Sequence, residues 1–145
     1  MKRLIVIWFA ATMALASPAV AADAAKTATM YKNPQCGCCA GHADYLRRNG
    51  YTVKIVETHD LLAVKKRYNV PEQLQGCHTL IIGKYAVEGH VPVKHIDRLI
   101  KEKPSIVGIS LPGMPAGSPG MGGSKRSPFV IFEIAPGTPP IYAVD

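Results

Sequence analysis

The chain has 145 residues, 48% of them hydrophobic and 19% charged, with a formal net charge of +7. That length suits one small domain and leaves no room for a second full core. The positive charge does not read as nucleic-acid binding, because Lys and Arg are dispersed and the only basic run is "VKKR" at 64–67; it fits solubility and attraction to anionic surfaces.

The N-terminus carries an export pattern. "MKR" is followed by the 13-residue run "LIVIWFAATMALA" and by the small residues "SPAVA", so cleavage after Ala21 is expected. The run is shorter than the roughly 18 apolar residues a membrane span needs. Removal takes Lys2 and Arg3, lowers the charge from +7 to +5 and leaves about 124 residues. A soluble periplasmic protein is expected, with no membrane insertion after the signal is removed. Residues 22–28, "ADAAKTA", read as a flexible lead-in, and 29–145 as a single domain.

Within that domain "ATMY" at 28–31 reads as a strand ending in the turn "KNPQ". "CCAGHADYLRRNG" reads as a helix. Ala40, Ala43, Tyr45 and Leu46 are its apolar positions, Arg47 and Arg48 its last turn, and "NG" its stop. "TVKIVE" at 52–57 alternates as a strand does. "HDLLAVKKRYNV" is a second helix, with Leu61, Leu62, Val64 and Tyr68 able to share a face. After Pro71 and Gly76, "TLIIG" at 79–83 is a buried strand and "KYAVEGH" the returning half of a hairpin. "VKHIDRLIKEK" at 93–103 is a third helix, with Pro92 beside its first turn. This order over 29–103, βαβαββα, makes an α/β fold of the thioredoxin-like, glutaredoxin-like type. "SLPGMPAGSPGMGGSKRSP" at 110–128 is a Gly/Pro-rich loop in which no ordinary strand or helix fits. "FVIFEI" and "PIYAV" then form a terminal hairpin over 129–144 that extends the sheet.

Three of the four cysteines, Cys36, Cys38 and Cys39, fall in "YKNPQCGCCAGH" at 31–42; Cys77 is the fourth. Two structural disulfides would be the ordinary reading in an oxidising compartment. The spacing opposes it: neighbouring Cys38 and Cys39 cannot readily reach disulfide geometry, and only Cys77 is distant. At least two thiols therefore stay clustered. In this fold Cys36 sits at a helix cap and Cys39 one turn inside, where free amide hydrogens and the helix dipole favour a thiolate. Cys36 is then the exposed, reactive redox thiol and Cys39 its resolving partner.

Cys38 breaks a simple dithiol reading, since a third thiol invites scrambling. Three sulfurs at one helix start can instead share a soft cation, zinc or copper(I). Cys77 precedes "TLII", a position that faces the helix N-terminus, so Cys36, Cys38, Cys39 and Cys77 are expected to converge. One tetrahedral ion would struggle to use adjacent Cys38 and Cys39, whereas bridging sulfurs suit several copper(I) ions. Met114 and Met121 in the Gly/Pro-rich loop offer soft thioethers. His42, His78 and His90 offer imidazoles, which suit copper(II). His95 reads as a packing or surface residue of its helix, His59 as a cap or loop residue, and Met30 as core.

"YKNPxCGCCxxH", "VPxxLxxCHTLIIGxYxVEGHVPVxxIxRLL" and "GxSLPGMPxGSPGM" together resemble the periplasmic CopG copper-resistance family, over about residues 29–122. The departure is Ile100 where the second pattern ends in Leu. The stretch from Thr29 is also similar to the opening of glutaredoxins, with "CGCC" in place of their dithiol motif. The resemblance implies a thioredoxin-like fold and a sulfur-bridged cluster of several copper ions on Cys36, Cys38, Cys39 and Cys77. It also implies a role in copper tolerance, as an oxidoreductase interconverting copper(I) and copper(II). Other copper-handling proteins of the periplasm, or an exporter, are the implied partners. Against thioredoxins themselves, the cis-proline before the third strand is replaced by His78, which weakens ordinary disulfide exchange. Two further classes fit the residues: a thiol–disulfide oxidoreductase acting on proteins, and a non-enzymatic copper chaperone or buffer.

Overall fold

A computed structural model describes residues 26–145; the export pattern at 1–21 lies outside the described residues. Strand β1 (Thr27–Lys32) takes in Thr27, which the sequence reading gave to the lead-in, and Lys32, which it gave to the turn. Helix α1 (Gly37–Arg48) follows, then β2 (Thr52–Glu57), α2 (Leu61–Arg67), a single 3-10 turn at Glu72–Leu74, the hairpin β3 (His78–Ile82) and β4 (Tyr85–Gly89), and α3 (Val93–Glu102). The chain ends in β5 (Gly108–Leu111), β6 (Val130–Glu133) and β7 (Ile141–Val144).

The result is a mixed α/β fold with one seven-stranded sheet in the order β2-β1-β3-β4-β5-β6-β7. Two strand pairs are parallel, β1 with β2 and β4 with β5. Parallel neighbours need a crossover, which α1 and α3 supply. The β3–β4 pair is antiparallel, with Leu80 opposite Val87. Strand alternation sorts the apolar residues onto two faces. Met30, Leu80, Val87 and Ile109 join Leu46 of α1 and Ile96 and Leu99 of α3 in the main core. Ile81, Ala86 and Phe132 point the other way and pack with Tyr68, Val70, Leu74 and Ile134.

The second helix is shorter than its sequence pattern. Asp60 caps it, its carboxylate accepting from the Ala63 N–H at 3.0 Å, and the chain leaves the helix at Tyr68. Strand β5 corrects the reading of 110–128 as wholly loop: Ser110 and Leu111 are strand, and all four β5 residues are buried between β4 and β6. The terminal hairpin does extend the sheet, β6 pairing with β5 and β7 with β6. No helix of the described residues is long and apolar enough to cross a membrane.

Candidate metal centre

The segment before α1 is fixed from below by a buried lysine. Lys32, at the end of β1, donates to the carbonyls of Asn33 (3.0 Å) and Pro34 (3.2 Å) and pairs with Glu57 at 3.1 Å. Asn33 turns the chain: its side chain accepts from Gln35 N–H and its carbonyl from Cys36 N–H, each at 3.0 Å. Cys36 is thereby the N-cap of α1, and no side chain caps that helix start. A helix start whose first-turn amide hydrogens no side chain takes up favours anionic ligands.

Cys36 and Cys39 are joined as a disulfide, and Cys38 and Cys77 are free. Cys36 is partly exposed and Cys39 buried. The four sulfurs lie within 4.8 Å of one another. Cys38 Sγ is 3.5 Å from Cys36 Sγ and 4.0 Å from Cys77 Sγ, and Cys39 Sγ is 3.6 Å from the Cys77 carbonyl oxygen. The expected convergence across the chain is present.

Glycines make it sterically achievable. Gly76 precedes Cys77 and Gly89 precedes His90; a Cβ on Gly76 would lie 2.6 Å from Gly89 Cα. Only two bare backbones can approach so closely, and that approach brings His90 Nε2 to 3.1 Å from Cys77 Sγ. A second close pair anchors the Gly/Pro-rich loop: a Cβ on Gly120 would meet His42 N at 2.3 Å. The neighbouring Pro119 carbonyl accepts from His90 Nδ1 at 2.6 Å.

Three imidazoles sit behind the sulfurs, and His42, His78 and His90 are fully buried. His42 Nε2 is 3.1 Å from the Val91 carbonyl, His42 Nδ1 is 2.9 Å from His78 Nε2, and His78 Nδ1 is 3.4 Å from Cys77 Sγ. Burial, with repulsion from His90, lowers the His42 pKa to about 3. Burial likewise holds His78 well below its ordinary value, reinforced by His42, and lowers His90. All three are neutral, so each carries one proton. Carbonyls only accept, which fixes N–H on His42 Nε2 and on His90 Nδ1. His42 Nδ1 is then bare and accepts from His78 Nε2–H, leaving His78 Nδ1 bare. Bare nitrogens of His78 and His90 both face Cys77 Sγ. Cys77 in turn has its pKa pushed up to about 12, by burial first and then by Cys38.

The sequence candidates therefore separate. Cys36, Cys38, Cys39 and Cys77 form one group of donor atoms, and Cys77, His78 and His90 a second. His42 belongs to it by position, but both its nitrogens are engaged, which makes it a support for His78 rather than a ligand. Met121 is half-buried beside Gly120, and Met114 is exposed with a left-handed φ of 47°; neither thioether is hydrogen-bonded to the sulfurs among the described residues. His59 is an exposed loop residue. His95 packs in α3 with Nε2 3.6 Å from Asp145.

One supporting cluster escaped sequence reasoning. Lys65, from the basic run "VKKR", is buried and pairs with buried Glu88 at 2.6 Å. Glu88 also accepts from Gly76 N–H at 2.9 Å and pairs with the Thr79 hydroxyl, so it grips the chain on both sides of Cys77–His78. Burial pushes Glu88 upward, opposed by Lys65, Thr79 and Gly76. The available signal was a lone Glu in the otherwise apolar hairpin strand "YAVEG".

Comparison with known proteins agrees with a metal-handling site. A family model described as "Protein of unknown function, DUF411" matches residues 74–121, a span that holds Cys77, His78, His90, Met114 and Met121. Comparison with curated proteins gives no match. Two solved structures, titled "Copper resistance protein copG- Form 2" and "Form 1", are similar to this chain with a TM-score of 0.75 and 35% identity. The matches cover 82% of this chain and 97% and 96% of those chains.

Proposed function

Because the chain belongs to the CopG family of copper resistance proteins, we propose that it is a periplasmic copper-binding protein in which Cys36, Cys38, Cys39 and Cys77 share several copper(I) ions. The observation that carries this is the gathering of four sulfurs from two distant segments within 4.8 Å of one another. Soft thiolates select copper(I), and the uncapped start of α1 favours their charge. The frame is read as thioredoxin-like, supported by the parallel β1–α1–β2 unit beside the antiparallel β3–β4 hairpin.

The Cys36–Cys39 pair supplies the redox chemistry of this reading. Two copper(II) ions each take one electron from the dithiol, giving two copper(I), the disulfide and two protons. The reverse reaction regenerates the dithiol. Cys38 and Cys77 keep a hold on metal in both states, and Met114 or Met121 can supply a thioether from the loop once copper is bound.

Reduced protein titrated anaerobically with copper(I) takes up several ions per chain on this reading. Cys38→Ser collapses that uptake to one ion or none while leaving disulfide exchange by Cys36 and Cys39 intact. The observed disulfide at a helix start also favours a second reading, protein thiol–disulfide exchange. That reading gains if the reduced chain binds no copper(I) yet reduces insulin. Uptake of a single ion with no electron transfer to a defined acceptor would favour a chaperone or buffer.

A further inference from the structure

We propose a second metal position, distinct from the four-sulfur group except for sharing Cys77: a site for one divalent ion, zinc or copper(II), made by Cys77 Sγ, His78 Nδ1 and His90 Nε2, and complete while Cys36 and Cys39 are joined as a disulfide. It does not depend on the copper(I) reading above.

Three donor atoms meet at one place. His90 Nε2 lies 3.1 Å and His78 Nδ1 3.4 Å from Cys77 Sγ, and the three atoms lie within 4.8 Å of one another. The far nitrogen of each ring is already engaged, His90 Nδ1 with the Pro119 carbonyl and His78 Nε2 with His42 Nδ1, so the near nitrogens are the ones left to bind. A divalent ion there replaces the thiol proton: the proton leaves to solvent, and one metal–sulfur and two metal–nitrogen bonds form.

The dimensions fit. Metal–sulfur and metal–nitrogen bonds of about 2.3 and 2.0 Å in a tetrahedron place sulfur and nitrogen about 3.5 Å apart. The two observed separations are slightly shorter, and the three donor atoms lie within 4.8 Å of one another. Imidazole with a single thiolate suits a divalent ion better than copper(I) in a sulfur cage. The outer shell is present too: His42 and the Val91 carbonyl fix the His78 tautomer, and the Pro119 carbonyl fixes that of His90. Cys77 thus serves both positions. With the dithiol oxidised, the protein holds a divalent ion on nitrogen and one sulfur.

Cobalt(II) is the probe. The full chain, with the disulfide closed and the two free thiols verified, is titrated anaerobically with cobalt(II). One equivalent binds, with a thiolate-to-cobalt charge-transfer band and, with a water as fourth ligand, the intense ligand-field bands of four-coordinate metal. Cys77→Ser removes the charge-transfer band and Cys38→Ser keeps it. His78→Gln and His90→Gln each weaken binding by more than the roughly 10- to 100-fold seen for outer-shell losses. The inference is overturned if the oxidised chain binds no cobalt(II). It is overturned equally if the His78→Gln/His90→Gln double variant binds as tightly as the parent. Should a histidine variant fail to fold, nitrogen-15 NMR of the parent with zinc(II) decides: His78 Nδ1 and His90 Nε2 shift as ligands, or they do not. A reduced chain that takes up several copper(I) ions while the oxidised chain ignores cobalt(II) rejects this inference and spares the copper(I) reading; the opposite result does the reverse.

Discussion

His42 shows how one side chain acts through another. Its carbonyl-bound Nε2 forces Nδ1 to accept, and that bond decides which nitrogen of His78 faces Cys77. Replacing it by an apolar ring, His42→Phe, leaves the buried His78 Nε2–H without an acceptor, which costs about 1–3 kcal/mol of stability. It also frees His78 to change tautomer, so cobalt(II) affinity of the oxidised chain falls by roughly 10- to 100-fold. His42→Gln, whose carbonyl can accept in the same place, restores most of both. Urea unfolding and metal titration of the two variants check this. The buried imidazoles also set an acid limit for the metal-free, oxidised chain. His42 stays neutral in the fold down to about pH 3 but protonates near 6.5 once unfolded. Stability is therefore whole above about pH 6.5 and is lost as pH falls toward about 3, by up to roughly 1.4 kcal/mol per pH unit for each fully titrating histidine. Unfolding midpoints measured across that window should fall steadily; a flat profile would mean the histidines charge in the fold.

Elements carry the site through contacts that ordinary hydropathy hides. Helix α2 delivers Lys65 to Glu88 of β4, and Glu88 in turn holds Gly76 and Thr79 around Cys77. Glu88→Leu leaves the Lys65 ammonium buried and alone, a loss of about 3–5 kcal/mol. Adding Lys65→Met removes the uncompensated charge, so the double variant recovers much of the stability in denaturant titrations. It recovers less of the metal affinity, because the grip on Gly76 and Thr79 stays lost. Gly76→Ala is a sharper perturbation at the same place. Its methyl has no room beside Gly89, so β3 must move from β4 and carry Cys77 away from His90; cobalt(II) uptake should drop while α1 and its disulfide remain. The sulfurs were legible in the sequence because chemistry-bearing residues are few and their spacing is diagnostic. Lys65 was not legible: a basic run on a short helix looks solvated, and its partner lies 23 residues away. His90 was weighed, but only the Gly76–Gly89 approach shows that it reaches Cys77.

For the molecule as a whole, alternation made β2 readable, and short apolar runs bounded by turns did the same for β1, β3, β4 and the terminal hairpin, whereas β5 hid behind its own first residue. Gly108 is there because a Cβ would strike the Ala86 carbonyl oxygen at 1.7 Å, yet in sequence it merges with the glycines and prolines of the loop. That hidden strand changes the status of the C-terminal segment. β5 links the β1–β4 half of the sheet to β6 and β7, and Phe129, Ile131 and Ile134 are buried in the two cores. At about 1.5–3 kcal/mol for each fully buried side chain, these three contribute on the order of 5–9 kcal/mol. A small domain has only about 5–15 kcal/mol in total. The hairpin also ties α3 down, with Arg98 over the Tyr142 ring at 4.7 Å and Lys94 paired with Asp145. A chain cut after Arg126 keeps every sulfur, every histidine and both loop methionines, so a site formed by local sequence alone would survive the cut. The fold argues otherwise: β5 becomes a bare edge, α3 loses its ties, and the loop that lays Pro119 on His90 is anchored at one end only. Such a chain should show no cooperative thermal transition and little near-ultraviolet circular dichroism, and its cobalt(II) uptake should vanish with them. A truncated chain that melts cooperatively near the parent midpoint would show instead that the first five strands form a self-sufficient domain.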